Sequence, residues 1–278
     1  MKKIVVTGGS GATGHVVIRE LLQHGYEVLN IDRVRPREHN APFLTIDLMD
    51  QGQVFEALCK ADAVVHLAAI PAPGIFSEEL TFRNNTTSTF NVFNAAIRLG
   101  LKRVVWASSL RTIGIPFPPG VLPAYLPIDE DHPLQPDSSY SLSKVISEEM
   151  ARQFHRWSGI PFIGLRFSRI LQPNAYQHFL DQERWGEGVR NELWAYVDVR
   201  DAAQACRLGL EADLYGAEVY TITAADSALD RISPELLAQY YPAIPNRNEN
   251  QDWASLISIQ KANHQLVNTP RYSWRDHL

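Results

Sequence analysis

From residue 3 onward the chain alternates short, β-branched apolar runs with longer stretches in which apolar residues recur every three or four positions. A short apolar run bounded by turn residues reads as a strand buried on both faces, and the three-to-four spacing reads as one face of a helix. The pattern predicts strands over 3–7, 27–31, 42–46, 62–67, 102–107 and 161–166, and helices over 12–24, 51–59, 78–98, 138–157 and 199–211. On the helix over 78–98, Phe82, Thr86, Thr89, Phe90, Phe93 and Ile97 share one side. Strand, crossover helix and strand in repetition give a parallel sheet covered by helices on both faces. The expected fold is therefore α/β, a Rossmann-type doubly wound parallel sheet with a small C-terminal part.

Two regions break the rhythm. Residues 112–137 carry prolines at 116, 118, 119, 123, 127, 133 and 136, which preclude a helix and favour an ordered loop. Beyond residue 168 the pattern is less regular, with Trp185, Gly186 and Gly188 and then a strand expected at 193–197. This divides the chain into a sheet domain, 1–167, and a C-terminal part, 168–278, that is interleaved with it, residues 193–222 returning to the sheet.

With 278 residues, 45% of them hydrophobic, the chain can bury a substantial core. A net charge of -5 and the lack of a basic cluster interleaved with aromatics argue against a nucleic-acid partner. Cys59 and Cys206 are too few and too far apart for a zinc cage or a disulfide framework, so no metal is expected and a reducing cytoplasm is the natural compartment. Met1, Lys2 and Lys3 precede an apolar run that ends at Thr7 and opens into glycines, which is a first strand and not a secretion signal. No stretch approaches the ~18 consecutive apolar residues of a membrane span.

The candidate chemistry begins after that strand. Gly8, Gly11 and Gly14 stand between a strand and a helix, the context a phosphate-binding loop requires. Gly8 allows the tight turn, Gly11 lets backbone approach a pyrophosphate, and Gly14 lets helix and strand pack closely, with Ala12 and Thr13 in the same loop. Asp32, 18 residues beyond Gly14, ends the second strand, where a carboxylate accepts hydrogen bonds from an adenosine ribose. That favours NAD over NADP, although Arg33 and Arg35 leave a 2'-phosphate open. Asp47 and Leu48 are placed to meet the adenine, and Leu67, Ala68 and Ala69 follow the fourth strand with the small side chains that close passage of a cofactor demands.

Tyr140 and Lys144 lie one helical turn apart. Such a pair recurs by chance on many helices; the glycine loop, Asp32 and the serine pair Ser108-Ser109 after the fifth strand give it weight. Oxidising a secondary alcohol requires a base for the hydroxyl proton, and free tyrosine, with a pKa near ~10, is too weakly ionised at neutral pH. A lysine ammonium one turn away is expected to pull that pKa down. Ser108 or Ser109 would hold the substrate oxygen.

In these residues the chain resembles the extended short-chain dehydrogenase/reductase superfamily, especially its NAD-dependent epimerase/dehydratase branch. Thr7 to Gly14 is similar to that family's Thr-Gly-x-x-Gly-x-x-Gly, Asn85 to Thr89 to its Asn-x-x-Gly-Thr helix start, and Pro270 to Asp276 to its C-terminal signature. The resemblance implies a bound nicotinamide cofactor with Asn85 among the residues around it, Ser109 as the catalytic serine, and Tyr140 and Lys144 as base and helper that also contact the cofactor. It also implies a homodimer through the helices near 78–98 and 138–157.

The departures bear on the substrate. Sugar-nucleotide dehydratases carry Asp-Glu where this chain has Leu110-Arg111, so dehydration is disfavoured. Their relatives tend to show Arg-x-x-Asn-x-x-Gly-Pro after the sixth strand, where Arg169 and Gln172 stand here. The run Ala107 to Gly114 is similar to the uronate dehydrogenases, whose Asn-His is again Leu110-Arg111. Arg111, Arg169 and Arg190 are candidates to bind a substrate carboxylate. The expected activity is NAD-dependent hydride transfer at a hydroxyl of a sugar, sugar acid or related polyol. The rivals are an NAD-dependent sugar epimerase and a non-catalytic dinucleotide-binding protein.

Overall fold

The computed structural model describes residues 1–38, 40–180, 189–247 and 252–277. Trp185, Gly186 and Gly188 fall outside the described residues. The strands are β1 (Lys3–Thr7), β2 (Glu27–Asp32), β3 (Phe43–Thr45), β4 (Ala63–His66), β5 (Arg103–Ser109), β6 (Phe162–Phe167), β7 (Arg169–Leu171), β8 (Tyr196–Asp198) and β9 (Ala217–Ile222). The helices are α1 (Gly14–Gln23), α2 (Gln51–Leu58), α3 (Glu78–Leu99), α4 (Ser139–Ser158), α5 (Val199–Glu211) and α6 (Ser233–Tyr240). Among the described residues no helix is long and apolar enough to cross a membrane.

Seven strands form a parallel sheet in the order β3-β2-β1-β4-β5-β6-β9. The strand order runs outward from β1 in one direction and from β4 in the other, so a crevice opens at the carboxyl ends between them. Successive strand residues face opposite sides. Val6, Val65 and Val105 join the cluster beneath α1 and α5, while Val5, Val64 and Val104 join the one beneath α2, α3 and α4. At the centre of the second cluster the Phe93 ring lies 5.5 Å from Trp106, 6.0 Å from Phe154 and 4.9 Å from Phe162.

Several expected elements shift. β5 runs on to Ser109, which brings the serine pair into the strand end. The stripe expected on α3 is only partly buried: Phe93 and Thr89 face the core, but Phe90 is 44% exposed and meets Phe154 edge-on at 5.5 Å. The strand expected at 193–197 starts at Tyr196, because Leu193 and Trp194 hold positive φ (56 and 53), which no extended strand allows. β8 pairs with β7 in a separate two-stranded sheet, and β9 takes the edge beside β6.

Residues 112–137 begin within a short 3-10 turn, Leu110–Ile113, and are tied down by backbone bonds further along. Leu126 donates its N–H to the Pro245 carbonyl at 2.9 Å and Ile128 to that of Leu256 at 3.0 Å, with both side chains fully buried. These residues join Tyr176, Trp194, Tyr196, Leu236 and Trp274 in a third apolar cluster beside the sheet ends.

Candidate active site

The glycine loop is shaped by contacts that admit no side chain. Gly8 holds φ +71, and a Cβ there would stand 2.7 Å from the Ala68 nitrogen. A Cβ on Gly14 would meet the Gly8 carbonyl oxygen at 2.2 Å, whereas one on Gly11 would meet only that oxygen, at 3.2 Å, and otherwise open space. The loop is thus sealed against the exit of β4 and open towards the crevice. Thr13 lines the crevice, and the exposed Ala12 gives its carbonyl to the Gln172 amide at 2.9 Å.

The Asp32 carboxylate accepts the Ser10 and Val34 N–H groups, each at 3.1 Å, and is half-buried at the rim, with lone pairs to spare. Arg33 and Arg35 are exposed beside it. Asp47 caps the turn after β3 by accepting the Met49 N–H at 3.0 Å, and the buried Leu48 gives its carbonyl to Asn91 at 2.9 Å. Asn85 differs from expectation: its amide is occupied by the Ile70 N–H at 2.8 Å, the Ile70 carbonyl at 3.1 Å and the Ser143 hydroxyl at 3.3 Å. It clasps the segment after Ala69 to α4 and leaves nothing for a ligand to bond.

A cleft of about 410 Å³ continues from the loop. Leu67 and Ala69 after β4, Ser108 and Ser109 at the end of β5, and Tyr140 and Lys144 on α4 all line it. The start of α4 is fixed by a capping box between Ser138 and Ser141, which sets Tyr140 in the first turn. Lys144 donates from Nζ to the Ala107 carbonyl at 2.8 Å and stands 5.8 Å from the Tyr140 ring centre.

The electrostatics correct one expectation. Burial holds the Tyr140 phenol above its usual pKa; the nearby Ser109 hydroxyl and Arg111 guanidinium act in the opposite direction without winning. Lys144 does not figure in that balance. Its own ammonium is held down to about 8, chiefly by burial, with Glu148 opposing. Two buried groups each pay for desolvation, and at this separation the one does not rescue the other. His66, deep behind the site between the Thr7 and Thr89 hydroxyls at 2.7 and 3.2 Å, is pushed down to about 3 by burial and then by Lys144, so it is neutral.

The three candidate arginines separate. Arg111 lines the cleft, and its guanidinium has no hydrogen-bond or ion-pair partner among the described residues. Arg169 also lines the cleft but is held at two points by Glu192, one contact at 2.9 Å. Arg190 is not on the wall; its guanidinium lies 5.6 Å from the Tyr240 ring centre. Phe167, Ser168, Ile170, Glu192 and Ala195 complete the wall without having been anticipated. The first three lie at or just beyond the carboxyl end of β6, where the rule that located Ser109 applies equally. Among the described residues no cluster of His, Cys, Asp and Glu could hold a metal ion.

The chain that builds this cleft, from Thr13 of the glycine loop to a tyrosine, a lysine and a serine, is matched by the model of the NAD dependent epimerase/dehydratase family over residues 4–222. The chain belongs to that family. It is 28% identical over 237 residues to a putative UDP-glucose 4-epimerase of Methanocaldococcus jannaschii, covering 74% of this chain and 73% of that one. It is 32% identical over 179 residues to a uronate dehydrogenase of Pseudomonas putida, covering 62% of each. A short-chain dehydrogenase/reductase superfamily protein from Agrobacterium tumefaciens, solved with bound NAD, shares the fold with a TM-score of 0.75 at 22% identity, over 98% of this chain and 94% of that one.

Proposed function

We propose that the protein is an NAD-dependent oxidoreductase that moves hydride between the cofactor and a hydroxyl-bearing carbon of a sugar, sugar acid or related polyol. The observation that carries this is the convergence of Ser109, Tyr140 and Lys144 on one cleft that opens from the glycine loop. In this reading Gly8, Gly11, Ala12, Thr13 and Gly14 hold the pyrophosphate, Asp32 the adenosine ribose, Asp47 and Leu48 the adenine, and Leu67, Ala68 and Ala69 border the remainder. The carboxylate at position 32 supports NAD over NADP. Bound there, NAD supplies the hydride acceptor.

The remaining steps belong to the chain. Ser109 orients the substrate oxygen, and Tyr140 Oη receives its proton. Arg111 provides positive charge that favours the phenolate, and Lys144, 5.8 Å from the phenol ring centre, is the helper one turn away. Arg111, with its guanidinium free, also supports a substrate carboxylate next to the reacting carbon, as in a sugar acid. The likeness to a uronate dehydrogenase agrees with this. The substrate-binding role of the C-terminal part rests on Arg169, Ile170, Glu192 and Ala195 in the cleft wall.

The test is Tyr140→Phe with a panel of free sugars, uronates and nucleotide sugars, followed by NADH absorbance. The variant is expected to bind NAD as the parent does and to lose turnover by roughly 10²–10⁴-fold. Turnover comparable to the parent overturns the assignment. The Methanocaldococcus relative supports a second reading, a sugar epimerase; sugar interconversion without net release of NADH would establish that one instead.

A further inference from the structure

Three consecutive residues of β5 meet three residues spaced a turn apart on α4. The Ala107 carbonyl accepts from Lys144 at 2.8 Å, the Ser108 hydroxyl donates to Glu148 at 2.6 Å, and Ser109 lines the cleft beside Tyr140. Tyr140, Lys144 and Glu148 follow at i, i+4 and i+8, so one stripe of the helix is stitched to the strand end that bears the serine.

Glu148 is itself gripped. Arg166 donates to it from Nε at 2.9 Å and from Nη2 at 2.8 Å, and the two side chains are 4% and 0% exposed. Arg166 is the β6 register partner of Ser108, and its Nη1 donates to the Glu130 carbonyl at 3.0 Å. Glu130 lies in the proline-rich loop and accepts the Thr221 N–H from β9 at 2.6 Å. One buried ion pair thereby fastens α4, β5, β6 and the proline-rich loop.

Stability does not explain the pair, since a buried ion pair is commonly no better than apolar residues of similar volume. Its position does. Lys144 is surrounded by the neutral His66, the Ala107 carbonyl and the protonated Tyr140, and the charge of Arg166 is consumed by Glu148. Glu148, one turn further along α4, is the charged group that opposes the effect of burial on the ammonium. We propose that Glu148, gripped by Arg166, is a positioning residue for proton transfer at Tyr140: it locks Ser108, and with it Ser109, against α4 and supplies the counter-charge of Lys144.

The role in turnover rests on the oxidoreductase reading, so the experiment carries a readout that does not. The first arm follows Lys144 by NMR of lysine-labelled protein, its resonance identified by its loss in K144A. In E148Q, Lys144 is expected to titrate about one pH unit or more below the parent, and in E148D near the parent. The second arm measures NAD-dependent oxidation of D-galacturonate against pH. E148Q loses the bond that holds Ser108, and with it Ser109, against α4, so kcat is expected to drop about tenfold with KM within about twofold. Should E148Q fold poorly, E148L/R166M removes both charges while keeping the volume; it is expected to lower kcat in the same way and to shift Lys144 in the same direction but less, since the Arg166 charge leaves with that of Glu148. An unchanged Lys144 titration in a folded variant overturns the proposal. A shifted titration without galacturonate oxidation in the parent retains the counter-charge and refutes the sugar-acid reading.

Discussion

Replacing Gly14 by alanine tests whether the loop is shaped by the contacts described. Alanine at the first helical residue would normally gain up to ~1 kcal/mol of helix propensity. Here its Cβ would lie 2.2 Å from the Gly8 oxygen and 2.6 Å from the Gly9 Cα, both backbone atoms that no rotamer change can clear. Overpacking of this kind costs about 1–3 kcal/mol, occasionally more, and the clash outweighs the propensity. For a domain of this size that corresponds to roughly 2–12 °C in Tm. The displaced loop should also weaken NAD, by about tenfold or more. Gly11→Ala is the control, since its Cβ meets only the Gly8 oxygen at 3.2 Å: Tm should move little while NAD weakens, because the methyl group projects towards the ligand. Thermal unfolding and NAD titration by calorimetry on both variants suffice. Equal Tm for Gly14→Ala and the parent, or undiminished NAD binding by Gly11→Ala, would refute the reasoning.

Arg111→Met should raise KM for a uronate by about tenfold or more, with little change for the matching neutral sugar; equal effects on both would remove the carboxylate contact. His66 imposes a pH dependence: its folded pKa, about 3, lies below the ordinary 6.5, so the unfolded chain binds the extra proton and stability falls as pH drops from about 6.5 to 3. Urea unfolding across that window should show this slope, and His66→Gln should flatten it. Phe90, 44% exposed, and Trp157, 58% exposed, flank Phe154 on the α3/α4 side that the expected homodimer would bury. Light scattering should therefore find two chains per particle for the parent and one for Phe90→Asp.

The features legible in the sequence are those whose signal is local. Apolar runs of strand length gave β1 to β6 within a residue or two, and glycines at fixed intervals after β1 located the loop without any knowledge of its neighbours. Tyr140 and Lys144 needed only one helical turn. What escaped depends on residues far apart in the chain. Arg111, Arg169 and Arg190 look alike as sequence, and only the packing of Glu192 and Tyr240 distinguishes them. Glu148 and Arg166 read as ordinary charges because nothing in either neighbourhood announces the other. The left-handed turn at Leu193 and Trp194 was invisible for a different reason: bulky apolar residues favour a strand there, and the surrounding cluster overrides them. The depressed Lys144 and elevated Tyr140 follow from depth, which motif spacing does not encode.

The wall of the cleft draws on two bodies of hydrocarbon. Ser109, Tyr140 and Lys144 stand on the sheet and its helices, whereas Ile115 and Ala195 belong to or adjoin the separate cluster built around Trp194, Tyr196 and Trp274. In the proposed reading, chemistry and choice of substrate therefore have different foundations. On that reading, exchanging aromatic and aliphatic residues in the second cluster would reshape the wall near Ile115 and Ala195 while leaving the strand end and helix that carry Ser109, Tyr140 and Lys144 in register.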